Sequence, residues 1–421
     1  MTERDLKTVA AANGIASDTS YGAVTPPLYL SSTFAFQGFE QHRGYEYSRT
    51  ANPSRDLLAD TLAKLEGGAG AVVTSSGMAA VNLVLSLASP GDLIVASHDC
   101  YGGTYRLLST LRDKGHFDVV FIDQSDRGAL ASALARKPKL VLIETPSNPL
   151  MRVVDIRAIT RQAKEAGARV AVDNTFLSPA LQRPIPLGAD FVIHSTTKYL
   201  NGHSDVVGGA VVCRDGADVE QFRAWANITG VTCSPFDSYL TLRGLRTLFP
   251  RIEHQQANAL AIASFLEKNK AVSAAHYPGL KTDPGHELAR SQQSGFGAML
   301  SFELAGGVEA VQRFVEALKI FTLAESLGGV ESLVAHPATM THASMGPEAR
   351  RAAGNDAHDL SRADGLAALD DHRVPRRADA GRRRLTTRSN GFHAPGRRSP
   401  RARLGTSESP IAARSVMDHA A

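Results

Sequence analysis

The strongest chemical signal in the sequence is the pair Asp173 and Lys198. Asp173 closes a β-branched run, Arg169–Val172, in Val-Asp-Asn-Thr-Phe; Lys198 follows the next run in His-Ser-Thr-Thr-Lys-Tyr-Leu. In an open parallel sheet, ligands bind at the carboxyl ends of strands, so both residues fall on the functional edge. A lysine amine there can form a Schiff base with a carbonyl cofactor, and a carboxylate can keep a ring nitrogen protonated, which makes the ring an electron sink. Singly, such a lysine is usually solvated and such an aspartate usually caps a helix. Together, with the hydroxyls of Ser195 and Thr197 beside the lysine, they point to one site.

A phosphate requires backbone N–H donors at a helix start. Ser75-Ser76-Gly77-Met78-Ala79 lies between a strand ending at Thr74 and a helix through Leu87, and its glycine permits close backbone approach. Many strand–helix turns carry Ser and Gly, so the segment gains weight only from Ser195 and Thr197, whose hydroxyls can serve the same phosphate. Tyr101, in His-Asp-Cys-Tyr-Gly-Gly-Thr-Tyr-Arg after the run Leu93–Ser97, offers an aromatic platform for a ring.

These residues need a scaffold, and the pattern supplies one. Ala71–Thr74, Leu93–Ser97, Val119–Ile122, Leu140–Ile143, Val170–Val172 and Phe191–His194 read as buried strands, with Val206–Cys213 as a further strand candidate. Helices at Thr104–Lys114, Ala129–Arg136 and Ile156–Ala166 lie between several of them. That alternation predicts an α/β fold, a mostly parallel sheet covered on both faces. Residues 1–60 show no long helical period and read as an extended N-terminal arm; residues 61–255 form the sheet domain. From 256 to 354 a smaller α+β domain follows, with a helix over Ile252–Asn269, a strand over Ala298–Leu304 and a helix over Val308–Leu318. Residues 355–421 are rich in Arg, contain no Lys and have no sustained apolar period, the composition of a disordered or non-native segment.

The whole chain has 421 residues, 43% of them hydrophobic, and a formal net charge of +4. That charge is too small to predict a nucleic-acid partner. The three cysteines, Cys100, Cys213 and Cys233, have neither zinc-site nor disulfide-framework spacing, so no metal is expected. The N-terminus has no apolar signal-peptide core, and no apolar run approaches membrane-spanning length, so a cytoplasmic enzyme without membrane contact is expected.

Six ordered motifs carry a family resemblance: Tyr47–Pro53 (Tyr-Ser-Arg-x-x-Asn-Pro), residues 75–79 (Ser-Ser-Gly-Met-Ala), 144–149 (Glu-Thr-Pro-Ser-Asn-Pro), 172–175 (Val-Asp-Asn-Thr), 195–205 (Ser-Thr-Thr-Lys-Tyr-x-x-Gly-His-Ser-Asp) and 243–248 (Arg-Gly-Leu-Arg-Thr-Leu). Residues 1 to about 354 resemble the pyridoxal-phosphate (PLP) dependent enzymes of Cys/Met metabolism. The resemblance implies a fold type I (aspartate aminotransferase-like) architecture with pyridoxal 5'-phosphate as cofactor. It further implies that Lys198 holds the cofactor and shuttles protons, Asp173 pairs with the ring nitrogen, and Tyr101 stacks on the ring. By the same resemblance Gly77, Met78, Ser195 and Thr197 hold the phosphate, Thr175 and Asn148 complete the cofactor site, and Tyr47 and Arg49 reach the phosphate of a neighbouring subunit in a homotetramer. A guanidinium independently suits phosphate.

Within the family, Glu325 and Ser326 in Phe-Thr-Leu-Ala-Glu-Ser-Leu resemble the γ-acting branch, and Gly103 stands where methionine γ-lyases usually carry Cys. Residues 98–106 and 230–240 are most similar to the bacterial γ-replacing enzymes, with Arg106 a candidate for a distal carboxylate. The implied reaction joins an O-acylhomoserine, O-succinylhomoserine, to cysteine, giving cystathionine and succinate. γ-Elimination and a non-catalytic homologue are the alternatives. One departure stands out. After Thr-His-Ala-Ser-Met (341–345) and Glu-Ala-Arg (348–350), relatives continue with a strand of the form Leu-Arg-x-Ser-x-Gly-x-Glu, whose arginine binds the substrate α-carboxylate. No such run exists here, and Arg373 lacks the required neighbours. The segment beyond Gly354 has the composition of an out-of-frame reading, which leaves the small domain incomplete and predicts impaired turnover.

Overall fold

The computed structural model describes residues 5–341. Its centre is a seven-stranded sheet. The strands are β1 (Gly70–Thr74), β2 (Leu93–Ser97), β3 (Asp118–Ile122), β4 (Leu140–Glu144), β5 (Arg169–Asp173), β6 (Phe191–Ser195) and β7 (Gly209–Cys213). They lie in the order β1-β7-β6-β5-β4-β2-β3. All run the same way except β7, which is antiparallel to both neighbours. The six expected strands match to within one residue at each end, because both faces are covered and the apolar runs are nearly continuous. The candidate strand Val206–Cys213 starts later, at Gly209: Val207 is exposed, and the Gly208 backbone is taken up by Thr197 Oγ1.

Helices cover the sheet: α1 (Leu6–Ala12), α2 (Pro53–Glu66), α3 (Gly77–Leu85), α4 (Gly102–Asp113), α5 (Arg127–Ala135), α6 (Ile156–Glu165), α7 (Ser178–Leu181), α8 (Gly216–Thr229), α9 (Pro235–Leu245) and α10 (Leu248–Leu266). Side chains alternate across each strand, so one strand feeds two cores. Val192 and Val212 pack with Leu58 and Leu62 of α2. Phe191, Ile193 and Val211 face the other way, onto Val81, Val84 and Leu108. Many helix starts are written in the sequence: Asn52 precedes Pro53 and accepts from Ser54 N, and Asp126 and Asp155 cap α5 and α6.

The chain then forms a smaller layer from β8 (Val272–His276), α11 (His286–Gln292), β9 (Ser301–Leu304), α12 (Gly307–Ala317), β10 (Thr322–Leu323) and β11 (Leu333–Val334). β8 pairs antiparallel with β9, and β10 pairs parallel with β11. Phe302, Phe314, Leu304 and Val334 share a core with Ala259, Ala263 and Leu266 of α10.

Two expectations are corrected. The first 60 residues are not wholly an extended arm. Leu6–Ala12 is helical and sets Val9 and Ala10 against Leu58 and Leu62, and α2 already begins at Pro53. Seven residues make too short a helix to display a period. The expected division at 255/256 falls inside α10, whose Leu248 and Ile252 join the sheet core while Ala259 onward joins the small one. The Arg-rich segment 355–421 and the motifs after Thr341 lie outside the described residues. Among the described residues no helix is long and apolar enough to cross a membrane, and no His, Cys, Asp and Glu side chains cluster as metal ligands.

Candidate active site

Five strand ends meet on the carboxyl edge of the sheet. β1 delivers the turn Ser75-Ser76 into α3, β2 delivers Tyr101 at the start of α4, β4 ends on Glu144, β5 ends on Asp173, and β6 runs through Ser195 to Lys198. Between them lies a cavity of about 360 Å³. Its lining brings together Gly77, Met78, Tyr101, Asn148, Asp173, Thr175, Ser195, Thr197, Lys198, Glu325 and Ser326. Three expected residues stand apart from it in this chain. Arg106 is exposed on α4. Arg49 lines a second cavity with Arg55, Arg223 and Asn227, and its Nη1 donates to the Asn227 carbonyl at 2.7 Å and to Oδ1 at 2.8 Å. Tyr47 is half exposed beneath the Arg49 guanidinium, 5.7 Å from the ring centre.

One end of the cavity is a backbone cradle. Ser76 caps α3, accepting from Ala79 N at 3.1 Å, which leaves the Gly77 and Met78 amides among the first N–H groups of a helix that have no intrahelical partner. A methyl group on Gly77 would stand 2.7 Å from Ser195 Cβ, and one on Gly209 would stand 2.2 Å from the Ser76 carbonyl oxygen. Only glycine lets β6, β7 and this turn approach so closely. Thr197 Oγ1 bridges to Gly208, accepting from its N–H at 3.0 Å and donating to its carbonyl at 3.2 Å.

At the other end are the titrating groups. Lys198 Nζ donates to Ser326 Oγ at 2.7 Å. Burial lowers the Lys198 pKa, opposed by the Glu325 carboxylate, so more of the amine is neutral and free to attack or take a proton than in a solvated lysine. Asp173 Oδ1 accepts from Thr175 N at 3.0 Å, while Thr175 Oγ1 accepts from Ser195 N at 2.9 Å, tying β5 to β6. Burial raises the Asp173 pKa; its bonds with Thr175 and the charge of His194 pull the other way. An aspartate held this way gains from a cationic partner. Burial, then Glu325, raises the Tyr101 pKa, so its hydroxyl is retained.

Glu144 was not singled out from the sequence. It lines the cavity, is 8% exposed, and accepts from Tyr101 N at 2.8 Å. The available signal was its place in Glu-Thr-Pro-Ser-Asn-Pro at a strand end; the missing one was the register that sets it beside Asp173. Leu327, Ala335, Pro337 and Thr341 also form walls, and nothing in their types announces it.

Comparison with known proteins decides what this edge belongs to. Residues 7–368 match the family model for Cys/Met metabolism PLP-dependent enzymes. The chain belongs to that family. It is 57% identical over 352 residues to the cystathionine gamma-synthase of Escherichia coli (strain K12), covering 83% of this chain and 91% of the relative. It is 48% identical over 349 residues to the cystathionine beta-lyase of Lactococcus lactis subsp. cremoris (strain MG1363), covering 83% of this chain and 92% of the relative. Two crystal structures of cystathionine gamma synthase from Xanthomonas oryzae pv. oryzae, one in complex with aminoacrylate and cysteine and one with cystathionine, superpose with a TM-score of 0.85 at 58% identity, covering 88% of this chain and 94% of theirs.

Membership in this family brings PLP as the cofactor and the fold type I architecture. The residues present fit such a group. A cradle of free amides and a hydroxyl suits its phosphate, a buried carboxylate suits a ring cation, and a desolvated amine suits its aldehyde.

Proposed function

We propose that this chain catalyses γ-replacement, joining O-succinylhomoserine and cysteine into cystathionine and releasing succinate. The carbon–oxygen bond at the γ carbon breaks, and a carbon–sulfur bond to cysteine replaces it. The observation that carries the reading is the desolvated Lys198 amine, set beside Ser326 and Glu325 in the cavity that Asp173 and the Gly77 cradle share. The names of the relatives most like this chain support the substrate class.

When bound, the cofactor supplies an electron sink for negative charge at substrate carbons. Lys198 is its covalent anchor and, with its lowered pKa, the group that takes and returns substrate protons. Asp173 would keep the ring nitrogen protonated, and Tyr101, Asn148 and Thr175 would hold the ring. Gly77, Met78, Ser195 and Thr197 hold the phosphate. Ser326 orients Lys198 through their hydrogen bond, and Glu325 supplies negative charge near the amine. Arg106 is assigned to the distal carboxylate of the succinyl group. Tyr47 and Arg49, away from the cavity of their own chain, serve a neighbouring subunit's phosphate in a homotetramer. The sheet domain, which runs into α10, is assigned to cofactor binding, the layer after it to the smaller domain, and the enzyme to the cytoplasm.

A product assay on the 421-residue chain tests the reading. Cystathionine and succinate should form together from O-succinylhomoserine and cysteine; release of succinate unaffected by cysteine would favour γ-elimination instead. For the shared site, mixing Arg49→Ala and Lys198→Ala chains should restore part of the activity. Absence of complementation in verified mixed oligomers would contradict it. The Lys-free, Arg-rich stretch after Gly354 carries one further reading, a frameshift near codon 354 that removes the α-carboxylate arginine. Turnover should then be strongly impaired while the cofactor still binds. Reading the other two frames for a Leu-Arg-x-Ser-x-Gly run decides it, and finding none would reject it.

A further inference from the structure

We propose that Glu144 is a positioning residue that locks the Tyr101 loop beside the cofactor ring by accepting a hydrogen bond from its backbone amide. Glu144 ends β4 and is the direct cross-strand partner of Asp173 on β5. Its Oε2 accepts from Tyr101 N at 2.8 Å. The side chain that ends β4 therefore ties down the loop that leaves β2. Tyr101 is the residue just before α4, so the amide Glu144 holds sets where that helix starts. The ring of Tyr101 folds back over its own helix start: a methyl on Gly103 would stand 2.5 Å from Tyr101 Cε1 and 3.0 Å from Met78 Sδ. Gly103 gives the ring its space and Glu144 holds the backbone that carries it.

The residue type follows from reach and charge. Aspartate, one methylene shorter, withdraws the acceptor by roughly 1.5 Å, half a hydrogen-bond length. Burial and the neighbouring Asp173 raise the Glu144 carboxyl well above the usual range, so a neutral carboxamide can take its place. The brace thus works through its acceptor oxygen rather than through charge. The inference rests on the cofactor reading above.

The experiment compares Glu144→Asp and Glu144→Gln in the full chain, reading PLP affinity on reconstitution and circular dichroism of the bound chromophore, with far-ultraviolet dichroism as the check of folding. Glu144→Asp should lower PLP affinity about 10-fold and reduce the chromophore dichroism by about half, while Glu144→Gln stays within about threefold of the parent. In a Tyr101→Ala background, Glu144→Asp should cost less than threefold in affinity, because the two act as one unit. A folded Glu144→Asp chain with parental affinity and dichroism would overturn the inference, as would a folded Glu144→Gln chain as impaired as Glu144→Asp, or full additivity with Tyr101→Ala. A parent chain with no chromophore band would overturn the cofactor reading, and this inference with it.

Discussion

The floor and the roof of the cavity are built differently. The floor is the sheet edge: Glu144, Asp173 and Ser195 close adjacent strands whose ladders hold them in register, and Thr175 stitches two of those strands together. The roof is the loop Glu325–Gly329, which lies between two strands of two residues each. Ser326 sits there at φ +111°, a conformation that costs a non-glycine residue about 1–3 kcal/mol. Gly328 presses on the anchor from the same loop: a methyl there would stand 2.5 Å from Tyr199 N. A rigid floor suits holding a cofactor, which is the same in every turnover. A strained loop outside the sheet suits meeting substrates that come and go. Floor substitutions should therefore change cofactor binding and chemistry together, and roof substitutions should change substrate handling alone.

The largest effect is expected from Lys198→Ala. It removes the proton carrier, so kcat should fall by about 10²–10⁴, measured by product formation with the cofactor added in excess. Retention of more than a tenth of the activity would break the distinction at its centre. Asp173→Asn comes next. It should lower kcat by about 10²–10³ and weaken PLP binding. It should also stabilise the cofactor-free protein by about 0.5–2 kcal/mol near pH 7. The sign follows from the raised pKa: the folded chain keeps the Asp173 proton where the unfolded chain has lost it. Stability therefore falls as pH rises above the ordinary aspartate value of about 4. Asparagine has no such penalty, so the gain should vanish near pH 4. Thermal melts of the two cofactor-free proteins at both pH values would check this; a lower melting temperature for Asp173→Asn at pH 7 would count against it.

Ser326→Ala should have the smallest effect. It loses one hydrogen bond to Lys198, worth about 0.5–1.5 kcal/mol, so kcat/KM should fall about two- to tenfold with PLP affinity unchanged. Weakened PLP binding would place Ser326 with the floor.

The same contrast explains what could be read from the sequence. Floor strands announce themselves, because β-branched runs buried on both faces leave little ambiguity, and the residues closing or following them, Asp173 and Lys198, are chemically distinctive. Glu144 escaped because its meaning lies in register with a neighbouring strand, which a single segment does not encode. β8 escaped because Val-Ser-Ala-Ala-His is weakly apolar and only partly buried. Glu325 and Ser326 were reached through family resemblance alone; nothing in a Leu-Ala-Glu-Ser-Leu stretch says that its serine will stand 2.7 Å from a lysine 128 positions earlier. Arg106, Arg49 and Tyr47 show the converse. Their types suit anions, yet none lines the cavity of a single chain, although the charge of Arg106 reaches Tyr101 at its wall.

The central claim is that Lys198 is the residue to which PLP is bound. Borohydride treatment of the PLP-reconstituted chain, followed by digestion and peptide mapping, tests it directly. The account predicts one labelled peptide, carrying the cofactor on Lys198. Labelling confined to another lysine, or reduction that leaves the Lys198 peptide unmodified while the bound chromophore disappears, would contradict it.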